Sequence, residues 1–375
     1  MRSPRAVRLG VFAVDETEVQ VAWGHLGPGH VQLAVGDDAI EVSSDGGPGV
    51  HTFAGLTPDT PGTVELTGPG VPDGRRTLAF RTLAPLPGPE RYRFATVSDL
   101  HLGCREFGLL RTMKEKPQPD EVYSMRTARA ALTEAAAWGA ERLIAKGDIT
   151  HGGSLDQWLL FGRLLDESGL VADAIPGNHD GVERREIDPN DALEKLGLEP
   201  IPDGCRWIDV PGLRIVLVDS TQLEVRRGHL AHRHDVVREA IDTDRPVWIA
   251  MHHHLEPLSF SHFYPPGIRG RDSRDFLRTL VATNPRAFIS SGHTHRNRRR
   301  YEGPVVLTEV GSPEDYPGTW GAYTVHDTGI RQVVRRLEDP RVVPWIEYSR
   351  RAAGTMWGRW SPGRLDARCF NHLWP

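Results

Sequence analysis

The sequence predicts a layered α/β domain preceded by a small all-β sandwich. Three observations predict it. Residues 6 to 84 hold short alternating runs split by Gly, Pro and Asp turns, with no helical period. From Arg91 onward, apolar strand-like runs alternate with helical stretches, the pattern of a layered α/β sheet. Between the two, Pro85-Leu86-Pro87-Gly88-Pro89 reads as a stiff linker, because its prolines fix φ. The length fits this division: 375 residues exceed one average domain, and 39% hydrophobic residues are enough for a sizeable core.

In the first segment strands are expected at Val7 to Val14, Glu18 to Trp23, Val31 to Val35, His51 to Phe53, Gly62 to Leu66 and Thr77 to Thr82. In the second, Phe94 to Ser98 is a short apolar run, and Glu121 to Trp138 is an alanine-rich helix. Arg142 to Ala145 is a strand ending at Gly147-Asp148, and Ser154 to Glu167 is a helix with Ser154 as its N-cap. Leu170 to Ile175, Leu213 to Asp219, Val247 to Met251 and Ala287 to Ser290 read as strands, with helices at Asp235 to Ile241 and Asp272 to Thr283. Val342 to Pro375 carries Trp345, Trp357, Trp360 and Trp374 without a clear period, and is expected to pack back on the body as an irregular tail. The expected divisions are 1–84, a linker at 85–90, 91–341 and 342–375.

Composition excludes several classes. A net charge of −5 gives no bulk attraction to nucleic acid, although Arg296, Arg298, Arg299 and Arg300 form a local basic run, read as a solvated face. Cys104, Cys205 and Cys369 are odd in number and widely spaced, so they form neither a disulfide framework nor a zinc finger. No apolar run approaches the ~20 residues that span a bilayer, and the first ten residues lack a signal-peptide core. The expectation is a cytoplasmic protein without a membrane partner.

Chemistry-bearing residues gather where apolar runs stop. The groups are Asp99-Leu100-His101, Gly147-Asp148, Gly177-Asn178-His179-Asp180, Met251-His252-His253-His254 and Gly292-His293-Thr294-His295. In an open α/β sheet, sites form beyond the carboxyl ends of strands, so this placement brings distant residues to one rim. Carboxylate, imidazole and amide oxygen together suit Mn, Fe or Zn, and no cysteine belongs to the set. Asp99 and His101 are two apart and share a face of extended chain, as do His293 and His295, while Thr294 points away. Asp148 follows a glycine that lets the backbone turn.

These five blocks resemble the signature of the calcineurin-like metallophosphoesterase superfamily: Asp-x-His, Gly-Asp, Gly-Asn-His-Asp/Glu, a His after a strand, and Gly-His-x-His. The resemblance implies an αββα-type catalytic domain with two divalent or trivalent metal ions. Carried over by position, Asp99, His101 and His295 would hold the first ion, Asn178, His252 and His293 the second, and Asp148 would bridge them. It implies hydrolysis of a phosphate ester by a metal-bridging hydroxide, with His179 giving a proton to the leaving oxygen. His151, His253 and His254 are candidate substrate contacts. Asp180 is expected to orient local backbone. His262, Phe263 and Tyr264 lie in a loop that would shape substrate choice.

Ser98-Asp99-Leu100-His101-Leu102 and Met251-His252-His253 resemble the bacterial cyclic-nucleotide and glycerophosphodiester phosphodiesterase branch, which implies a small phosphodiester substrate. Alternatives in the same superfamily are a phosphomonoesterase and a nuclease; a catalytically inactive protein-binding scaffold is a third. The branch usually has Pro after its second His, where this chain has His254, and Cys104 to Pro119 is a long excursion after the first block. The first segment resembles a fibronectin type III module, with Trp23 on an early strand, Gly55-Leu56-Thr57-Pro58 at a turn and Phe80-Arg81-Thr82 on the last strand. A role for it in packing or in a homo-oligomer is expected.

Overall fold

In the computed structural model, residues 8–375 are described, apart from 25, 27, 45–46, 69–70, 72–73, 109–110, 118, 182–185, 223–224, 231–232 and 259–263. His262 and Phe263 lie outside the described residues. Among the described residues, seven strands make up the N-terminal region: β1 (Leu9–Val14), β2 (Val19–Trp23), β3 (Gly29–Val35), β4 (Asp38–Ser44), β5 (Gly49–Phe53), β6 (Pro61–Thr67) and β7 (Arg75–Arg81). They form a three-stranded sheet β1-β2-β5 and a four-stranded sheet β4-β3-β6-β7. Alternation explains the core between them: Val31, Leu33 and Val35 of β3 and Val64 and Leu66 of β6 are buried, while their neighbours face outward. Strand β4 is missing from the sequence reading because Gly36-Asp37-Asp38 reads as a turn and hides the short run behind it.

From Glu90 the chain builds two six-stranded sheets. The first contains β8 (Glu90–Val97), β11 (Arg142–Lys146) and β12 (Ala172–Ile175), with β19 (Thr319–His326), β20 (Gly329–Arg336) and β21 (Cys369–Leu373), in the order β12-β11-β8-β19-β20-β21. The second contains β13 (Cys205–Val210), β14 (Leu213–Val218), β15 (Val247–Met251), β16 (Ala287–Ser291), β17 (Arg298–Glu302) and β18 (Val305–Glu309), in the order β13-β14-β15-β16-β18-β17. A two-stranded hairpin, β9 (Glu106–Phe107) and β10 (Met113–Lys114), occupies the excursion after the first block.

The two large sheets face each other across a core of Phe94, Ile144, Ile215, Trp248, Phe288 and Tyr323. Helices α1 (Tyr123–Ala137) and α2 (Leu155–Ser168) cover the outer face of the first sheet, and α5 (His234–Ile241) and α6 (Gly270–Thr283) that of the second. The short α3 (Asn178–Gly181) and α4 (Pro189–Lys195) lie between them in the chain. This is the expected layered αββα arrangement. Strands β8, β11 and β12 run parallel, as do β14, β15, β16 and β18. Their carboxyl ends therefore emerge at one rim. Ser154 caps α2 as its sequence predicts, its hydroxyl accepting from the Gln157 N–H. No helix among the described residues is long and apolar enough to cross a membrane.

The N-terminal sheets dock on β20 through a polar seam. Arg331, Arg335 and Arg336 are buried there. Arg331 pairs with Asp15 and Glu16, and Arg335 with Asp15 and Glu18. Gln20 bridges the backbone of Arg336 on both sides, at 2.9 and 2.8 Å. The C-terminal stretch is more regular than its sequence suggests. It contains α7 (Val343–Ser349), α8 (Trp357–Trp360) and α9 (Leu365–Arg368), and ends in β21, which pairs antiparallel with β20. Three of its tryptophans have long-range partners in the fold, which local periodicity does not reveal.

Candidate metal centre

The rim formed by the strand ends brings all seven predicted ligands together. Asp99 and His101 follow β8, Asp148 follows β11, Asn178 opens α3, His252 follows β15, and His293 and His295 follow β16. One cluster joins Asp99, His101 and His295, and another joins Asp99, Asp148 and His252; within each, the donor atoms lie within 4.8 Å of one another. His252 Nε2 lies 3.2 Å from Asn178 Oδ1, 3.2 Å from His293 Nδ1 and 3.3 Å from Asp148 Oδ2. His101 Nε2 lies 3.3 Å from His295 Nε2 and 3.8 Å from Asp148 Oδ2, and His295 Nε2 is 3.5 Å from Asp99 Oδ1.

The local backbone differs from the sequence expectation. The chain is not extended at these blocks. Asp99, His101, Asp148, His293 and His295 all have positive φ, between 44° and 68°. They are five of the nine non-glycine residues with positive φ among the described residues. Left-handed backbone after each strand swings the side chains into the rim, a strained geometry costing about 1–3 kcal/mol per residue. Carboxylates are then held by main-chain donors. The His293 N–H bonds Asp99 Oδ2 at 2.9 Å, and the His179 N–H bonds Asp148 Oδ1 at 2.7 Å. Glycine is required where blocks meet: a Cβ on Gly177 would lie 2.2 Å from the Asp148 nitrogen.

Asp180 explains how two blocks keep register. Its buried carboxylate accepts from the N–H groups of Ile149, Thr150 and Gly177 and from the Thr150 hydroxyl. It thus orients backbone. Lys146, fully buried beneath the rim, donates to Ser290 Oγ and the Ser291 carbonyl, and burial pushes its amine down to about 7.

The donor set fits a cation. His252 Nδ1 faces the Lys146 carbonyl at 2.9 Å and must carry a hydrogen there. His293 Nε2 faces the Pro266 carbonyl at 3.2 Å, which leaves Nδ1 as a lone pair. Three acceptor atoms therefore surround His252 Nε2, and a single proton on that nitrogen can be donated to only one of them. A cation satisfies all four. The electrostatics agree: burial disfavours charge on His252, but Asp148 and Asp99 outweigh it and push the imidazole up to about 9. Burial likewise opposes charge on His295, yet Asp315 and Asp99 raise it to about 10. His101, His253 and His293 are held low, mainly by burial.

His179 and His151 sit on the more open side. The His179 ring is 4.6 Å from that of His101 and 5.6 Å from that of His151. His179 Nδ1 donates to the His151 carbonyl at 3.1 Å, leaving Nε2 outward. The expectation that His253 meets substrate is corrected. It is fully buried, with Nδ1 2.9 Å from Ser220 Oγ and Nε2 3.2 Å from the Arg226 carbonyl, and it backs His293. His254 is also buried, and it lines a small cavity with Leu255, Arg298, Arg300, Leu307 and Glu309. Arg296 of the basic run is also buried, and Arg298, Arg299 and Arg300 are half-buried along β17, so the run is no solvated face.

Sequence reasoning missed Asp315 and Ser312. Asp315 Oδ1 lies 2.6 Å from His295 Nδ1, and the Ser312 hydroxyl bonds the Asp99 carbonyl at 2.7 Å. The signal was present: Val305 to Glu309 is a sixth apolar run, and Gly311-Ser312 follows its end as glycine follows others. A cleft of about 680 Å³ opens beside Pro176 and Gly181, lined also by Asp188, Ile201, Asp219 and Arg233.

Residues 92–297 match the family model described as calcineurin-like phosphoesterase. A 3′,5′-cyclic adenosine monophosphate phosphodiesterase of Pseudomonas aeruginosa is 30% identical over 171 residues, covering 44% of this chain and 58% of that protein. A probable cyclic nucleotide phosphodiesterase of Synechococcus is 26% identical over 220 residues, covering 58% of this chain and 78% of the relative. Among solved structures, a purple acid phosphatase from yellow lupin seeds covers 90% of this chain and 73% of its own, with 15% identity and a TM-score of 0.48.

Proposed function

The chain belongs to the calcineurin-like phosphoesterase family, and on that premise we propose that it is a dinuclear metal-dependent phosphoesterase acting on a small phosphodiester. The observation that carries the reading is the excess of acceptor atoms around His252 Nε2, three of them where one proton can serve only one. Asp99, His101 and His295 would hold one ion and Asn178, His252 and His293 the other, with Asp148 shared between them. Imidazole, carboxylate and amide oxygen suit Mn, Fe or Zn. When bound, the ions supply an acidified water and positive charge for the phosphoryl oxygens.

The chain's own residues do the rest. Asp99 and Asp148 are aimed by main-chain N–H groups, so neither must reorganise. His179 exchanges a proton at Nε2, because its Nδ1 hydrogen is committed to the His151 carbonyl. It protonates the leaving oxygen, a role worth ~10²–10⁴-fold. His151 flanks the incoming ester. The diester preference is supported by the two relatives, whose names describe cyclic nucleotide phosphodiesterases. We also assign residues 1–84 to a fibronectin type III-like module, 85–90 to a linker, 91–341 to the catalytic domain and 342–375 to a C-terminal segment. Seven strands in sheets of three and four support the first assignment.

Mn²⁺-loaded protein should turn over bis-p-nitrophenyl phosphate faster than p-nitrophenyl phosphate or single-stranded DNA. Preference for the monoester would overturn the diester reading, and no turnover with both ions bound would overturn the enzyme reading. His179→Ala should cut turnover ~10²–10⁴-fold and keep both ions; loss of an ion would mean that His179 is a ligand.

A further inference from the structure

The stretch from Val343 to Ser361 lies outside the matched family residues, yet it is fastened to the rim at several points. The loop after β18 is bonded to it at three consecutive residues. Trp345 Nε1 donates to the Glu314 carbonyl at 2.8 Å. Trp357 Nε1 donates to Asp315 Oδ2 at 2.5 Å. The Tyr316 N–H donates to Ser349 Oγ at 2.8 Å. A separate contact is made two residues past the Gly-His-Thr-His block, where the Asn297 N–H bonds the Ser361 carbonyl at 2.9 Å. Asn297 Oδ1 in turn accepts from the Gly311 N–H at 2.8 Å, which ties the block to the loop.

Asp315 stands at the centre of this clamp. One carboxylate oxygen takes the Trp357 indole hydrogen, and the other faces His295 Nδ1 at 2.6 Å. A carboxylate has no hydrogen to give, so His295 Nδ1 carries it. Its Nε2 is thereby fixed as the lone pair that faces His101 and Asp99. Trp357 and Phe107 also wall the His295 ring, each with ring centroids 6.3 Å away.

We propose that Trp357 and Asp315 are positioning residues for the metal centre, and that the segment Val343–Ser361 completes that centre. Trp357 fixes the Asp315 carboxylate, and Asp315 fixes the tautomer and tilt of His295. Partners of this kind change metal affinity by about 10–100-fold when lost. The inference rests on the reading of His295 as a ligand.

The test titrates Mn²⁺ into the metal-free full chain by calorimetry, with chelator competition to resolve the two ions. Asp315→Asn should weaken one ion about 10–100-fold and leave the other near the wild-type value. Trp357→Phe keeps the ring, removes the indole hydrogen and should weaken the same ion severalfold. Asp315→Glu, which restores a carboxylate, should recover part of the loss. Wild-type affinity for both ions in Asp315→Asn and Trp357→Phe would overturn the proposal. So would equal weakening of both ions together with a lower melting temperature of the metal-free form, since that marks a merely structural contact. If Asp315→Asn does not fold, Trp357→Phe decides alone. His295→Ala separates the two readings. If it leaves both ions untouched, the ligand assignment is wrong. If it loses one ion while Trp357→Phe loses none, only the positioning role is wrong.

Discussion

Gly177→Ala concentrates the geometry of the rim into one methyl group. The new Cβ would lie 2.2 Å from both the nitrogen and Oδ1 of Asp148, where ordinary contact begins at 3.4 Å, a shortfall of about 1.2 Å. A main-chain nitrogen cannot step aside as the end of a flexible side chain can. The block that carries Asn178 and His179 must therefore move away from the block that carries Asp148. Overpacking of this kind costs about 1–3 kcal/mol, so the protein still folds. The ion sites tolerate far less: ligand distances are fixed to about 0.2 Å. A displacement near 1 Å is worth about 10²-fold in rate. The expected result is a melting temperature lowered by only a few degrees without metal, with Mn²⁺ affinity and turnover reduced at least ~10²-fold. Gly10→Ala is the control, because a Cβ there meets nothing within 4 Å. Calorimetric titration and turnover of a model diester, run on the same preparations, check both halves. Wild-type affinity and rate in Gly177→Ala would show that the two blocks need no close approach.

Two further outcomes follow from the fold. Asp180→Ala strands the buried N–H groups of Ile149, Thr150 and Gly177, each costing about 1–3 kcal/mol, so denaturant unfolding of the metal-free form should show a loss of about 3 kcal/mol or more; a loss below 1 kcal/mol would contradict the clamp. Glu134, raised mainly by burial to about 7 from 4.5, keeps its proton longer folded than unfolded. Its contribution is present below pH 4.5 and lost as pH rises through 7, up to about 3 kcal/mol. Wild-type stability should therefore fall relative to Glu134→Gln between pH 5 and 8, and parallel pH profiles would refute this.

The site was legible because the proposed metal ligation would restrict residue types and its candidate donors sit at strand ends, where apolar runs visibly stop. Asp99, Asp148 and His252 could be found by that rule alone. Asp315 obeys the same rule but lies six residues past its strand, after a proline, and its importance comes from His295 rather than from its own surroundings. His253 was misjudged because three adjacent histidines look alike until Ser220 and the Arg226 carbonyl claim both nitrogens of one. The helices α1, α2 and α6 show in their periodicity. Strand β21 does not, since five residues among arginines and tryptophans become a strand only when β20 offers an edge. Trp357 was noticed as an aromatic and not as a donor, because its partner is 42 residues away.

The left-handed backbone at Asp99, His101, Asp148, His293 and His295 has a consequence for selection. At these positions conformation alone would favour glycine, and imidazole rings are retained there against that preference. Each imidazole on left-handed backbone therefore carries a conformational cost that a glycine would avoid. That cost fits the ligand role proposed for them.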